Sequence, residues 1–228
     1  MKHEDLLRKS SYTTGDLQHI VAILRGPDGC PWDAAQTHES IRHNFVEETY
    51  EAIEGINKRD DALLCEELGD VLLQVALHVQ IAAERGAFTW DDVTEGICRK
   101  LIERHPHVFG DLTAANADDA LSNWDVVKRS KKGQLSVAQA MASIPRELPP
   151  QMRAEKILRR AEKAGVDSPS LAAPKADMLA AEATLQNAEQ ALTQASDSFI
   201  SLFAQAEHEN LQSEYRAAHA PLAHSTTG

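Results

Sequence analysis

Leu64, Leu68, Val71, Val75, Val79 and Ala82 recur at steps of three and four across residues 61 to 85. That spacing puts all six on one side of an α-helix, whereas a strand would need alternate residues on one face. The segment immediately before it, residues 38 to 57, also reads as a helix, with Thr37 as its N-cap. Only the turn NKRD separates the two, so they must pack side by side and antiparallel. Asp60 is the expected cap of the second helix, and Gly86 follows its end.

The remaining punctuation extends the same pattern. Gly15 to Leu24 reads as a first helix, and RGPDGCPWDAAQ, residues 25 to 36, as a loop set by its Gly and Pro residues. Thr89 with Asp92 three residues on signals a helix over 90–104, which Pro106 would stop. HPHVFGD is expected to be a loop, and a further helix spans about 118–129. Hydrophobic residues make up 43% of the chain and aromatic residues 5%, a balance that favours helices over a sandwich of sheets. No strand-like alternation of useful length occurs. The expected fold is all-α: an antiparallel helical bundle over residues 1–133, a proline-containing linker over 134–150, and a second helical module over 151–228. In the last of these, QMRAEKILRRAEKAG is a basic helix ending at Gly165, residues 177 to 217 are helical in propensity, and HAPLAHSTTG is a frayed tail.

Charge and cysteine content narrow the function. The formal net charge is −12, so a long polyanionic nucleic acid would meet a repulsive field. The three cysteines, Cys30, Cys65 and Cys98, form no CxxC pair and point to reduced thiols rather than to a disulfide or zinc framework. The apolar run at 71 to 83 is interrupted by Gln74, His78 and Gln80, and it is too short and too polar to span a membrane. MKHEDLLRKS lacks the apolar core of a signal peptide. A cytoplasmic location is expected.

The hairpin of two helices carries an unusual load of acid. Nine acidic side chains fall within residues 47 to 70. Glu47 and Glu51 are four apart, Glu48 and Glu51 three apart, and Glu67 and Asp70 three apart, so each set shares a helix face. Measured from the turn, the two sets stand at similar heights and can face one another. Like charges ~4 Å apart repel by ~1 kcal/mol in water and several-fold more near a protein surface. Something positive belongs between them. An all-oxygen carboxylate set selects hard cations, Mg²⁺ foremost and Mn²⁺ next, and Mg²⁺ keeps coordination positions open for phosphate oxygens. The opposing reading is a solvated acidic face, which spacing alone leaves open. A ferritin-like di-iron site is excluded, because no histidine has a glutamate three residues before it.

EETYE (47 to 51) followed by ELGD (67 to 70) resembles the EExxE…ExxD signature of the MazG-type all-α nucleoside triphosphate pyrophosphohydrolases. GCPWDAAQTHESI (29 to 41), RKLIERHPHVFGD (99 to 111) and NWDVVKRSKK (123 to 132) resemble further segments of that family, in the same order. The resemblance implies hydrolysis of a nucleoside triphosphate, NTP or dNTP, to a nucleoside monophosphate and pyrophosphate, a nucleotide-pool housekeeping activity that uses Mg²⁺ or Mn²⁺. By motif, Glu48, Glu51, Glu67 and Asp70 match the family's metal ligands, and Glu47 is the candidate base that orients water. Lys100, Arg104 and Lys128, with Arg129 beside it, are candidates for the triphosphate. Trp124 and Trp32 are candidates for stacking on a base, with packing at least as strong a reading for Trp32. By resemblance the assembly is a homodimer or tetramer, and a stripe on the 61–85 helix that a lone hairpin cannot cover points the same way.

The chain departs from the pattern beyond residue 145. PRELPPQMRAEKILRRAEKAGVDSP resembles the lead-in to a second copy of the module, yet Leu179, Ala180 and Ala183 stand where its acidic set would fall, and QASD keeps only Asp197. A degenerate, metal-free second copy is expected there. The reading from a different functional class is a non-catalytic helical interaction module with solvated acidic helices.

Overall fold

The computed structural model describes residues 3–131, 136–165 and 168–218. Its elements are helical throughout. In the first part of the chain they are α1 (His3–Leu6), α2 (Thr14–Leu24), α3 (Pro31–Ala35), α4 (His38–Lys58), α5 (Asp61–Glu84), α6 (Trp90–Arg104), α7 (Pro106–Phe109) and α8 (Ala117–Lys131). Then come α9 (Val137–Ala142), α10 (Pro150–Ala164), a 3₁₀ turn at Pro169–Leu171 and α11 (Ala172–Ala218). The chain divides into two compact units after Val127.

Side chains set the helix boundaries. Thr13 and Asp16 close a reciprocal capping box at the start of α2, Thr37 and Ser40 at α4, and Thr89 and Asp92 at α6. Each cap satisfies backbone N–H groups that the first helical turn leaves without partners, worth about 1 kcal/mol apiece. Asp60 caps α5 by accepting from the N–H groups of Ala62 and Leu63 at 3.0 and 3.1 Å. Arg59 turns the chain between α4 and α5 in the left-handed region, with φ 55°. The α4–α5 hairpin is the most extensive helix contact in the chain.

The core of the first unit is built from Val21 of α2, Ile41 of α4, and Ala76, Leu77 and Ile81 of α5, with Leu17, Leu73 and Trp90 packed against them. This shifts the expected stripe. Val79 and Ala82 are buried, but Leu68 is 53% exposed. The C-terminal half of α5 lies against both α2 and α4, so it is buried nearly all round. Its N-terminal half is more exposed, with no buried residue before Gln74.

Two expected loops contain helical turns. Residues 25–36 include α3, and HPHVFGD includes α7; in both a proline occupies the first turn, where its missing N–H costs nothing. Arg25 ties this region down. Its almost fully buried side chain forms an ion pair with Glu84 at 2.8 Å and donates to the carbonyls of Asp33 and Gln36. The end of α2, the α3 turn, the entry to α4 and the end of α5 are thereby fixed together.

In the second unit α10 packs on α9 and α11. Ala140 and Ile144 are buried, and Arg160 donates to the Ala140 carbonyl. Gly165 ends α10 with φ 61°, a left-handed cap that glycine adopts without penalty. The expected tail HAPLAHSTTG lies outside the described residues.

Candidate metal centre

The α4–α5 hairpin decides which carboxylates meet. Glu51 and Glu67 stand eight positions before and after Arg59, and Glu48 and Asp70 stand eleven positions before and after it. In an antiparallel pair these are opposite numbers. Gly55 lets the helices close up between the turn and the acids. A Cβ placed there would lie 2.9 Å from the backbone of Leu64, so any other residue would push α5 away.

The outcome is a cluster of Glu48, Glu67 and Asp70 in which one carboxylate oxygen from each lies within 4.8 Å of the others. Glu48 carries a raised pKa, first because it is withdrawn from water and then because Asp70 and Glu51 stand near it. Glu67 is raised for the same first reason, then by the charge of Glu51 and a hydrogen bond with it. Glu51 therefore belongs to the group, although it is itself exposed. Glu47, also exposed, adds the smallest contribution to Glu48. Of the five predicted acids, Glu48, Glu67 and Asp70 form the cluster and Glu51 joins it through Glu67, whereas Glu47 is an exposed chain neighbour of Glu48.

Gln74 stands one turn beyond Asp70 on α5. It is 5% exposed, and its Nε2 donates to Glu48 Oε1 at 3.3 Å. Its own Oε1 is buried without a partner. In the sequence Gln74 stands out only as a polar break in an apolar run. Its place four residues after Asp70 was the available signal, because i and i+4 share a helix face.

An all-oxygen set of this kind fits a hard divalent cation. Two or more like charges so close, partly withdrawn from water, favour either protonation or a counter-ion. Both raised pKa values express that preference. Glu54, by contrast, pairs with Lys58 on the outer face, and Asp60 is used as a cap.

The candidate phosphate and base groups sit on other elements. Lys100 is exposed on α6. Arg104, at the end of α6, lies over the ring of Trp124 on α8, with its guanidinium carbon 5.1 Å from the ring centroid. Lys128 is half-buried on α8, in the second unit, and the side chain of Arg129 lies outside those described. Among the described residues, no hydrogen bond or ion pair joins Lys100 or Arg104 to the carboxylates. Trp32 is 61% exposed on α3, so core packing does not account for it. His105 Nδ1 pairs with the Leu101 carbonyl at 2.6 Å, as a structural turn residue would.

A second polar cluster occupies the entry of α4. His38 and His78 stack, with ring centroids 5.1 Å apart and Nδ1 atoms 2.8 Å apart. Arg85 approaches His38 Nε2 at 3.2 Å. Gln36 donates to the Trp32 carbonyl and accepts from Ser40 Oγ. The QTH segment therefore builds the junction between loop and helix.

Residues 36–109 match the model of the MazG nucleotide pyrophosphohydrolase domain. The nucleoside triphosphate pyrophosphohydrolase/pyrophosphatase MazG of Thermotoga maritima is 43% identical over 152 residues, 67% of this chain and 58% of that protein. The nucleoside triphosphate pyrophosphohydrolase of Escherichia coli K12 is 42% identical over 149 residues, 65% of this chain and 57% of that protein. An uncharacterized Bacillus subtilis protein, YabN, is 44% identical over 157 residues, 69% of this chain but 31% of its own length. The chain thus spans between about a third and three fifths of the length of these relatives.

Proposed function

We propose that this protein, whose residues 36–109 match the model of the MazG nucleotide pyrophosphohydrolase domain, hydrolyses nucleoside triphosphates to nucleoside monophosphate and pyrophosphate, with Mg²⁺ or Mn²⁺ held by Glu48, Glu51, Glu67 and Asp70. The observation that carries this reading is the convergence of Glu48, Glu67 and Asp70 across the hairpin, within 4.8 Å of one another. Solvated surface acids avoid such crowding, because each added charge costs energy unless a cation offsets it. A divalent ion held by these carboxylates would supply positive charge to the phosphate oxygens and a fixed point for orienting the triphosphate.

The protein's own groups divide the remaining work. Glu47, at the solvent edge of the cluster, accepts the proton of the attacking water. Oxygen from that water bonds to the α-phosphorus, the bond to the bridging oxygen breaks, and pyrophosphate leaves with the electron pair. Lys100 and Arg104 offset the charge that gathers on the leaving group, and Lys128 is a further candidate for contact with the triphosphate. Trp124, already holding the Arg104 guanidinium, offers a ring face for the base, and exposed Trp32 offers a second. The substrate is a small nucleotide, since the overall charge of −12 disfavours long nucleic acids.

The apolar surface of the hairpin supports an assembly of two or more copies. Val46, Tyr50, Ile53 and Ile56 are 52%, 59%, 41% and 58% exposed along one side of α4, and Leu68 of α5 is exposed beside the acids. A lone chain leaves this stripe in water, at about 25 cal/mol per Å² of apolar area that an interface would recover. A cytoplasmic location accords with this chemistry, and no described helix is long and apolar enough to cross a membrane. We assign residues 151–228 as a degenerate second helical module that contributes no metal ligand.

The deciding experiment is a panel of NTPs and dNTPs with Mg²⁺, reading pyrophosphate and monophosphate together. Equal amounts of both products, abolished by chelation, are expected. Orthophosphate in place of pyrophosphate would mean that a different bond is cut, and no product from any nucleotide would remove the assignment.

A further inference from the structure

We propose that Gln74 is a positioning residue of the metal centre, its side-chain amide holding the Glu48 carboxylate where it meets those of Glu67 and Asp70. The inference rests on the metal reading above. Gln74 is 5% exposed, among the buried apolar side chains of α5. Its amino group faces Glu48, at 3.3 Å. This orientation of the amide is dictated by chemistry, because an ionised carboxylate can only accept. The cost is at the other end of the same group, where Oε1 is buried with no donor near it.

Packing alone would not choose this residue. A buried amide with one end unsatisfied loses stability relative to an apolar side chain of the same volume. Methionine would fill the same space beside Ala76 and Leu77 without an orphaned acceptor. The gain from glutamine lies in Glu48. That carboxylate reaches the cluster from α4, across the helix interface, and among the described residues Gln74 is the side chain that donates a hydrogen bond to it. Groups that orient metal-binding carboxylates through such bonds act on the affinity of the site without touching the ion. Gln74 fits that role, and its retention in an apolar interface marks a trade of stability for a fixed ligand.

A structural role and a positioning role give opposite signs in one variant. Full-length wild type and Gln74→Met are compared metal-free by thermal melting, then titrated with Mn²⁺ in the absence of nucleotide, with free Mn²⁺ read by electron paramagnetic resonance. The expected result is a Gln74→Met melting temperature equal to or above wild type, with Mn²⁺ affinity weaker by about 10–100-fold. Gln74→Asn, which keeps the amide but shortens its reach, is expected to weaken Mn²⁺ binding as well, and it serves if the methionine variant misfolds. Wild-type Mn²⁺ affinity in either variant overturns the proposal. A Gln74→Met that folds natively, by its circular dichroism, but melts below wild type without metal shows that the amide serves packing, and also overturns it. If wild type itself fails to take up Mn²⁺, the metal centre is removed and the role of Gln74 with it, an outcome distinct from the other two.

Discussion

Glu48 and Asp70 stand eleven positions either side of Arg59, on facing helices, and their carboxylate oxygens come within 4.8 Å. Two acids brought together from opposite helices of a hairpin are a structural expense that the hairpin does not need for its own stability. The consequences can be measured one residue at a time.

Removing one member of the cluster should separate activity from folding. Glu48→Gln and Asp70→Asn each take a charge from a repulsive group, so the metal-free melting temperature should hold or rise. Pyrophosphate release should fall by more than ~100-fold, the upper end of what loss of even an outer partner of a metal site costs. Calorimetric melts beside a pyrophosphate assay check both.

The raised pKa values of Glu48 and Glu67 fix a sign for pH. A group whose folded pKa is raised contributes stability that is fully present below its unfolded value and lost as pH rises through the folded one. Relative to the Glu48→Gln/Glu67→Gln double variant, metal-free wild type should therefore be least stable at neutral pH. The difference should shrink as the pH falls toward the ordinary glutamate value of 4.5. Melting temperatures of both proteins across pH 4 to 8 (about the range in which a raised carboxyl titrates) would show it, and saturating Mg²⁺ should abolish the trend.

Asp16 gives the opposite sign. It is 2% exposed and is held at a pKa of about 2, first by its hydrogen bond from Lys9 and then by those from Thr13. A lowered pKa contributes stability above the unfolded value of 3.8 that is lost as pH falls through about 2. Asp16→Asn should melt below wild type at neutral pH, and the two curves should converge at the acid end of a pH series.

Gly55→Ala tests the closeness of the hairpin. The added Cβ would meet the Leu64 backbone at 2.9 Å, and overpacking of this kind costs about 1–3 kcal/mol. Because Gly55 lies between the turn and the acids, the variant should also weaken Mn²⁺ binding while leaving every ligand in place. Denaturant melts and metal titration on the same samples report the two effects.

Much of this was legible from residue order. The stop signals, the capping threonines and Asp60 marked the helix ends, and counting from the NKRD turn placed the acids opposite one another before any coordinates. What escaped was contextual. Leu68 lies on the apolar stripe yet is exposed, because a periodicity fixes a helix face but not which neighbours cover it. Proline converted two expected loops into helical turns, since its fixed φ suits a first turn as readily as a bend. Gln74 reads in the sequence as an ordinary break in an apolar run, and nothing there singles out Gly55. Their roles depend on the distance to the opposite helix and on a hydrogen bond across it, which no single-chain pattern encodes. The stacking of His38 on His78 likewise joins residues forty positions apart.

The position at which a divalent ion binds is the decisive property of this protein. Crystals grown with Mn²⁺ and a non-hydrolysable nucleoside triphosphate analogue, with data collected at the manganese absorption edge, give the answer as an anomalous difference map. The predicted result is a peak among the carboxylates of Glu48, Glu51, Glu67 and Asp70, in contact with the analogue's phosphate oxygens. A map with the analogue bound and no peak at that cluster, or with the manganese elsewhere, would contradict it.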